Sequence, residues 1–174
     1  MLPPQTLKNF CPNSDINSQV KVLIISDSHG HIANLKAVME IAKKGGIKAV
    51  IHCGDWDNIA SVEAVLSFGI PLYTVLGNAD VEEGIEEYLS YNATKFDPKF
   101  LKFKLDGRRI GVIHKVKKDD QNFDNLDIVF SGHYHNAEEK MVNFLKFVRP
   151  GAIINGINFV VYETANSEVE FVKE

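Results

Sequence analysis

The chain has 174 residues, of which 45% are hydrophobic and 24% charged, and its 19 Lys and Arg against 23 Asp and Glu give a formal net charge of −4. This composition is typical of a globular protein and excludes the low-hydrophobicity, high-charge signature of disordered chains. The negative charge disfavours a large nucleic acid as partner, and no apolar run approaches the roughly 18 residues of a membrane helix.

The chain divides into an arm and one domain. Residues 1–20 contain three prolines among polar residues without periodicity, which predicts a flexible N-terminal extension. Residues 21–174 are long enough for a single domain. The two cysteines, Cys11 and Cys53, have neither a metal-binding nor a disulfide spacing, so we expect free thiols and a cytoplasmic location.

The first half of the domain alternates strand and helix patterns. Short runs of branched apolar residues predict buried strands at Lys21–Ser26, Lys48–Cys53 and Pro71–Leu76. Apolar residues at helical spacing between these runs predict two helices, the first ending at Gly45-Gly46 and the second at Gly69. This alternation is typical of βαβ units with a parallel sheet.

The second half is rich in strands. Asp106-Gly107-Arg108 predicts a hairpin turn, and a further buried strand covers Asp127–Ser131. Short strands follow at Met141–Val148, Asn158–Glu163 and Val169–Val172. These elements predict an α/β fold in which two sheets pack between helices.

Polar residues follow the predicted strands at the point where each strand ends. They are two aspartates, one asparagine and four histidines: Asp27, His29, Asp55, Asn78, His114, His133 and His135. Because the carboxyl ends of strands in α/β sheets open on one edge, these side chains can converge there although they are far apart in sequence.

The residue types of this set indicate a metal centre. Mixed nitrogen and oxygen ligands suit Mn²⁺, Fe²⁺, Ni²⁺ or Zn²⁺. Seven ligands are too many for one tetrahedral ion and suit two ions if one carboxylate bridges them, and Asp55 is the natural bridge. Two ions about 3.5–4 Å apart stabilise in-line displacement at phosphorus and make hydroxide available near neutral pH.

Each of these residues also fits a simpler role when it is taken alone. Asp27 and Asp55 could cap the helices that follow them, and Asn78 could belong to a turn. A histidine such as His114 at a strand end is more often structural than metal-bound. His133 and His135 would face opposite ways on an extended chain, so as ligands they need a loop conformation.

The motifs resemble those of a known family. Asp27-Ser28-His29, Gly54-Asp55, Gly77-Asn78, His114 and Gly132-His133-Tyr134-His135 look like the motif set of the calcineurin-like metallophosphoesterases. Residues 21–174 are similar in particular to the small prokaryotic phosphodiesterases of the YfcE type. Arg149-Pro150-Gly151-Ala152 resembles the Asn-Pro-Gly-Ser turn of that subfamily.

The resemblance implies a four-layer α/β/β/α sandwich of two mixed sheets flanked by helices. It also implies a phosphodiesterase in which hydroxide bridging two divalent ions attacks a small phosphate ester. Mn²⁺ is the first choice of metal, with Ni²⁺, Fe²⁺ or Zn²⁺ as alternatives, and many relatives form homo-oligomers. The implied ligands are Asp27, His29 and His135 for one ion, Asn78, His114 and His133 for the other, and Asp55 for both.

Two positions depart from the family pattern. Ala79 stands where many relatives have a histidine that protonates the leaving oxygen, although YfcE-type members vary there. Lys115-Val116 follows His114 where relatives commonly read Gly-His. Both departures favour the rival interpretation, a non-catalytic scaffold of the same fold that serves a protein interaction, as in the retromer subunit. A nuclease acting on long nucleic acids is the third and least expected class.

The remaining candidates surround the predicted ligands. We expect Asp55, Asn78 and Asp80 to be catalytic, with Asp80 orienting a ligand through a hydrogen bond. We expect His31 and Asn78 to bind substrate. The alternative for His31 is a solvated loop histidine, and the alternative for Asp80 is an exposed turn. Other residues have ordinary explanations: His52, Trp56 and Tyr134 in the packed interior, and Lys115, Lys117 and Lys118 in a solvated charge run with Asp119-Asp120.

Overall fold

The computed structural model describes residues 20–117 and 122–173. The predicted N-terminal arm lies outside the described residues except for Val20, which packs against the core. Cys11, Lys118, Asp119 and Asp120 are also outside them.

The described elements follow one another in a β/α half and a β-rich half. They are β1 (Lys21–Ile25), α1 (Ile32–Lys44), β2 (Ala49–His52), α2 (Ile59–Leu66), β3 (Leu72–Thr74), α3 (Ile85–Asn92), β4 (Lys95–Phe96), β5 (Phe100–Leu105), β6 (Arg108–Ile113), β7 (Ile128–Ser131), β8 (Ala137–Val142), β9 (Leu145–Pro150), a 3₁₀ turn (Ile153–Asn155), β10 (Asn158–Glu163) and β11 (Glu168–Lys173). None of these helices is long and apolar enough to cross a membrane.

The strands form two mixed sheets, as predicted. The first has the order β11-β10-β1-β2-β3-β4, in which β1 to β4 are parallel, β10 is antiparallel to β1, and β11 is antiparallel to β10. The second has the order β5-β6-β7-β9-β8, with a parallel centre of β6, β7 and β9. The α/β class and its two sheets flanked by helices are therefore confirmed.

Two apolar layers hold the sheets and helices together. β1 shows why, because its alternate side chains face opposite ways. Val22 and Ile24 pack in the layer between the two sheets, whereas Leu23 and Ile25 pack in the layer that includes Leu35, Val62 and Leu89 of the three helices. The strand is thus buried on both faces, as its unbroken apolar run predicts.

The helices in the described part of the chain all pack on the first sheet. The outer face of the second sheet is contacted by the connection from β6 to β7, in which the Phe123 ring packs edge-on against Phe100 (5.5 Å) and Phe147 (5.3 Å). Gly111 on β6 allows this close approach, because a Cβ there would lie 2.7 Å from Leu126 Cδ1. Among residues 20–117 and 122–173, the three helices therefore cover the first sheet, and the connection between β6 and β7 contacts the outer face of the second.

One predicted strand was wrong in its extent, and two elements were not predicted. The single strand predicted over Met141–Val148 is two strands, β8 and β9, joined at Asn143 and Phe144, which have φ of 48° and 65°. Two consecutive left-handed residues make a tight hairpin turn. The turn was not predicted because phenylalanine rarely adopts the left-handed conformation. Helix α3 and strand β4 were not predicted, because only Ile85 and Leu89 of α3 are buried and β4 has two residues.

Candidate metal centre

The predicted ligands meet where parallel strands of both sheets end. Asp27 and His29 follow β1, Asp55 follows β2, His114 follows β6, and His133 follows β7. Backbone hydrogen bonds join the loops: the Asp27 N–H donates to the Gly54 carbonyl at 3.0 Å, and the His29 N–H to the Asp55 carbonyl at 3.0 Å. Residues far apart in sequence are therefore fixed beside one another by backbone contacts.

Most of these residues have a left-handed backbone. The φ angles are 52° at Asp27, 42° at His29, 61° at Asp55, 74° at His133 and 58° at His135. Such angles are uncommon outside glycine and cost on the order of 1–3 kcal/mol each where the backbone is strained. His133 and His135 therefore lie in a loop after β7, not on an extended strand, which is the conformation that we expected them to need as ligands.

One group of side chains comes from β1 and β7. His135 Nε2 lies 3.5 Å from Asp27 Oδ1 and 3.4 Å from His29 Nε2. Asp27 is fully buried, and both its carboxylate oxygens accept the His133 N–H at 3.1 Å. Asp27, His29 and His135 are the set predicted for the first ion, and their ligand atoms lie within 4.8 Å of one another.

The second group comes from β3, β6 and β7. Asn78 Oδ1 lies 3.1 Å from His114 Nε2 and 3.0 Å from His133 Nδ1, and these two imidazole nitrogens are 3.3 Å apart. The other nitrogen of His114 lies 2.9 Å from the Cys53 carbonyl, which orients the ring. These three residues are the set predicted for the second ion.

Asp55 lies between the two groups. Its Oδ2 is 3.5 Å from His29 Nε2 in the first group and 3.3 Å from His114 Nε2 in the second. The Ala79 N–H donates to Oδ1 at 2.8 Å and holds the carboxylate in this position. Asp55 is 2% exposed, so its charge has little contact with water.

The spacing of the nitrogens and oxygens fits a pair of cations. Two ligand atoms that each lie about 2.1 Å from one ion are about 3.0–3.4 Å apart. The contacts between His29 and His135 and among Asn78, His114 and His133 fall at this spacing. Two buried carboxylates without a cation would bear a desolvation cost, whereas a cation compensates it.

The charges of the centre shift the pKa values of its members. Burial alone would raise the pKa of Asp55, but the hydrogen bond with His114 and the other contacts bring it below its usual value. Burial also opposes the charged form of His114, but the Asp55 carboxylate raises the His114 pKa. Burial and the nearby charge of Lys115 lower the pKa of His133.

A buried hydrogen-bonded layer supports the first two ligand loops. His52 Nδ1 accepts the Gly54 N–H at 3.1 Å, so Nε2 carries the proton and faces Ser28 Oγ at 3.1 Å, and Ser28 Oγ donates to the Asp55 carbonyl at 3.3 Å. The His52 ring stacks on Trp56 at 3.5 Å, and burial places its pKa well below the usual value. Both residues lie in the interior, as expected.

Asp80 holds the loop that carries Asp55. Its Oδ1 accepts the N–H of Trp56 at 2.6 Å and of Asp57 at 2.9 Å, and its Oδ2 accepts the N–H of Gly77 at 2.7 Å and of Asp55 at 3.0 Å. Burial raises its pKa, and these four donors act in the opposite direction. These four contacts hold the backbone of the loop that carries Asp55, and the predicted catalytic role of Asp80 stays a prediction.

The other candidates lie at the edge of the site. His31 is exposed and precedes α1, where its Nδ1 accepts the Asn34 N–H at 3.4 Å. This contact makes it a helix cap, and its role in substrate binding remains a prediction. Tyr134 is 52% exposed, not buried as expected, and its ring packs edge-on against His133 at 4.9 Å.

Two glycines of the motifs leave room for the predicted ligands, a role not predicted from the sequence. A Cβ at Gly77 would overlap the Asp55 carboxylate and lie 2.5 Å from the Asp55 nitrogen. A Cβ at Gly132 would lie 2.8 Å from Asp27 Oδ2. The sequence did contain a signal for this role, because a glycine directly precedes both Asn78 and His133.

The sequence matches the Calcineurin-like phosphoesterase superfamily domain over residues 20–166. The chain belongs to this superfamily. A curated relative, the phosphodiesterase MJ0936 of Methanocaldococcus jannaschii, is 25% identical over 138 residues, which cover 76% of this chain and 83% of the relative. Membership in a family of phosphoesterases supports a hydrolase that acts on phosphate esters, and metal dependence is a property of the family.

Solved structures of the same fold include two phosphoesterases and Vps29. A novel archaeal phosphodiesterase superposes with a TM-score of 0.78 at 21% identity, covering 88% of this chain and 99% of that one. The phosphoesterase YfcE of E. coli gives 0.63 at 17% identity, with 88% and 98% covered. Vps29 of Entamoeba histolytica complexed with Zn²⁺ gives 0.58 at 16% identity, with 88% and 97% covered. These likenesses establish the metallophosphoesterase fold.

Proposed function

We propose that this chain is a metal-dependent phosphodiesterase that hydrolyses small phosphate esters at a centre of two divalent ions. The position of Asp55 carries the proposal, because one carboxylate oxygen lies 3.5 Å from His29 and 3.3 Å from His114. Such a placement suits a ligand shared by two ions. The preference for diesters is supported by the name of the curated relative, a phosphodiesterase.

The seven side chains divide into ligands for two ions. Asp27, His29 and His135 would hold one ion, Asn78, His114 and His133 the other, and Asp55 both. The bound ions would lower the pKa of a water molecule and offset the negative charge that develops on the phosphoryl oxygens. The mixed nitrogen and oxygen donors suit Mn²⁺, Ni²⁺, Fe²⁺ or Zn²⁺, and Mn²⁺ is the first choice on the family resemblance.

Residues of the chain also contribute to substrate binding and orientation. Asn78 is exposed, and because its Oδ1 faces His114 and His133, its NH₂ group is left to donate to a phosphoryl oxygen. Asp80 holds Asp55 in position, because its carboxylate accepts the Asp55 N–H and other backbone N–H groups of the same loop. In the overall reaction water supplies OH to phosphorus, the ester P–O bond breaks, and the leaving oxygen takes up a proton.

The absence of a side-chain acid at Ala79 defines the preferred leaving group. A general acid typically contributes about 10²–10⁴-fold in rate. We therefore expect aryl phosphate esters, whose leaving groups need no protonation, to be hydrolysed far faster than alkyl esters of the same charge. Equal rates on the two classes would show that another group supplies the proton.

The decisive experiment assays bis-p-nitrophenyl phosphate and mononucleotide diesters with Mn²⁺, Ni²⁺, Zn²⁺ and Mg²⁺. We expect metal-dependent turnover that a chelator abolishes, and a loss of at least about 10³-fold in Asp55→Asn, because an amide cannot bridge two cations as an anion does. Asp57→Asn is the control, since Asp57 is an exposed carboxylate two residues away. Full activity in Asp55→Asn would refute the assignment of the bridge.

The alternative is a non-catalytic metal-binding scaffold of the same fold. Ala79 and Lys115-Val116 favour it, and Vps29 is among the proteins of similar fold. Metal titration separates the two functions, because a scaffold would bind metal tightly yet show no turnover with any of the four ions.

A further inference from the structure

A groove of about 970 Å³ begins at the second group of predicted ligands. Asn78, His114 and His133 form one wall, and the rest extends over the start of β5 and the end of β6. This volume lies at the upper end of the range of about 300–1,000 Å³ that small-molecule sites occupy. A phosphate ester held at the metal centre would therefore leave most of the groove for the remainder of the substrate.

The charged side chains among the described residues that line the groove are positive, although the chain carries a formal net charge of −4. Four lysines line it, at Lys99, Lys102, Lys115 and Lys117. No Asp or Glu is among the described residues that line it. A cleft lined by one sign of charge raises the local concentration of oppositely charged ligands, so this described lining favours an anionic ligand.

The ammonium groups of Lys102 and Lys115 are located by contacts with neighbouring residues. Lys102 Nζ is 4.7 Å from the centre of the Phe100 ring and donates to the Asn122 carbonyl. Lys115 directly follows His114, and its Nζ lies 5.8 Å from the Tyr134 ring centre. Lys102 lies within β5 and Lys115 lies two residues beyond the end of β6, so two paired strands of the second sheet position both lysines.

The same groove offers apolar surface. Leu76, Pro98, Phe100 and Ile113 line it together with the lysines. Apolar walls with a few convergent polar groups are typical of sites for organic ligands. The combination of lysines and an aromatic ring suits a ligand with both a phosphate and a planar base.

From this geometry we infer that the groove binds a second phosphate of the substrate, beyond the phosphorus that is attacked. This inference rests on the proposed function and narrows its substrate class to small phosphate esters with two phosphates, in which the bond that breaks is a diester bond or a pyrophosphate P–O–P bond. Two sources share this chemistry: a dinucleotide with a terminal phosphate, and two nucleosides joined through a pyrophosphate. Both are small polyanions, in contrast to long nucleic acids.

The test compares diadenosine monophosphate diesters with and without a 5′-phosphate, and a diadenosine joined through pyrophosphate. The wild-type kcat/KM should be at least about tenfold higher for a substrate with the second phosphate. Lys102→Gln and Lys117→Gln should each reduce that ratio about 3- to 10-fold. Lys104→Gln is the matched control, since Lys104 is an exposed lysine of β5 that does not line the groove, and it should leave the ratio unchanged.

The outcomes separate this inference from the proposed function. Turnover of bis-p-nitrophenyl phosphate together with equal kcat/KM for the substrates with and without the second phosphate would overturn the groove assignment alone. Preference for only one phosphorylated substrate would identify the source and support it. If no diester is hydrolysed with any metal, calorimetric binding of the 5′-phosphorylated dinucleotide decides: weaker binding in Lys102→Gln than in Lys104→Gln supports the groove, and equal binding refutes it.

Discussion

The Asp80→Asn substitution distinguishes a positioning residue from a catalytic one. In the native protein each carboxylate oxygen accepts two backbone N–H groups, at 2.6 and 2.9 Å for Oδ1 and at 2.7 and 3.0 Å for Oδ2. An asparagine has one acceptor oxygen, so its NH₂ group would face two N–H donors that lose their partner. Each unsatisfied donor costs about 1–3 kcal/mol when buried. Because this site is only partly buried, we expect a total loss of about 2–4 kcal/mol.

Thermal unfolding followed by circular dichroism measures this loss. For a chain of this size about 1 kcal/mol corresponds to about 2–4 °C, so Tm should fall by roughly 4–16 °C. Calorimetry should show metal affinity weakened by about 10–100-fold, since supporting partners of ligands have effects of that size. Asp57→Asn in the same loop is the control and should leave both quantities unchanged. Wild-type Tm and metal affinity in Asp80→Asn, with kcat lost, would refute positioning and make Asp80 a direct participant.

Three further substitutions test other parts of the structure. Gly77→Ala should weaken metal affinity at least about tenfold, because the added Cβ overlaps the Asp55 carboxylate, whereas calorimetry on Gly45→Ala should show no change. His52→Gln should flatten the pH dependence of stability in urea unfolding at pH 5, 6 and 7. Burial holds the pKa of His52 below its usual value, so the unfolded chain binds a proton below about pH 6.5 that the folded chain does not, and wild-type stability should fall toward pH 5 by up to about 1.4 kcal/mol per pH unit from this residue. An identical slope in the variant would contradict this. Phe123→Ala should cost about 2 kcal/mol in thermal unfolding, since it removes two edge-on aromatic contacts, and no loss would mean that the connection does not stabilise the second sheet.

Local sequence patterns were enough to predict most of the strands. A strand such as β1 is buried on both faces, and the physical demand for apolar side chains on both sides leaves an unbroken run in the sequence. The hairpin of β8 and β9 could not be predicted in the same way, because its turn depends on the left-handed backbone of Phe144, which the residue type does not signal.

The sequence alone determined which residue types follow the strands, and therefore the chemistry that a common edge could support. Only the tertiary structure decided their arrangement: that Asp55 lies between the two groups of side chains, that Asp80 binds four backbone N–H groups, and that Lys102 comes to lie in the same groove as Lys115. The physical reason is the separation along the chain of the residues that interact. Apolar periodicity is imposed by neighbours along the chain, whereas these contacts join loops from different strands, and their distances depend on how the two sheets pack.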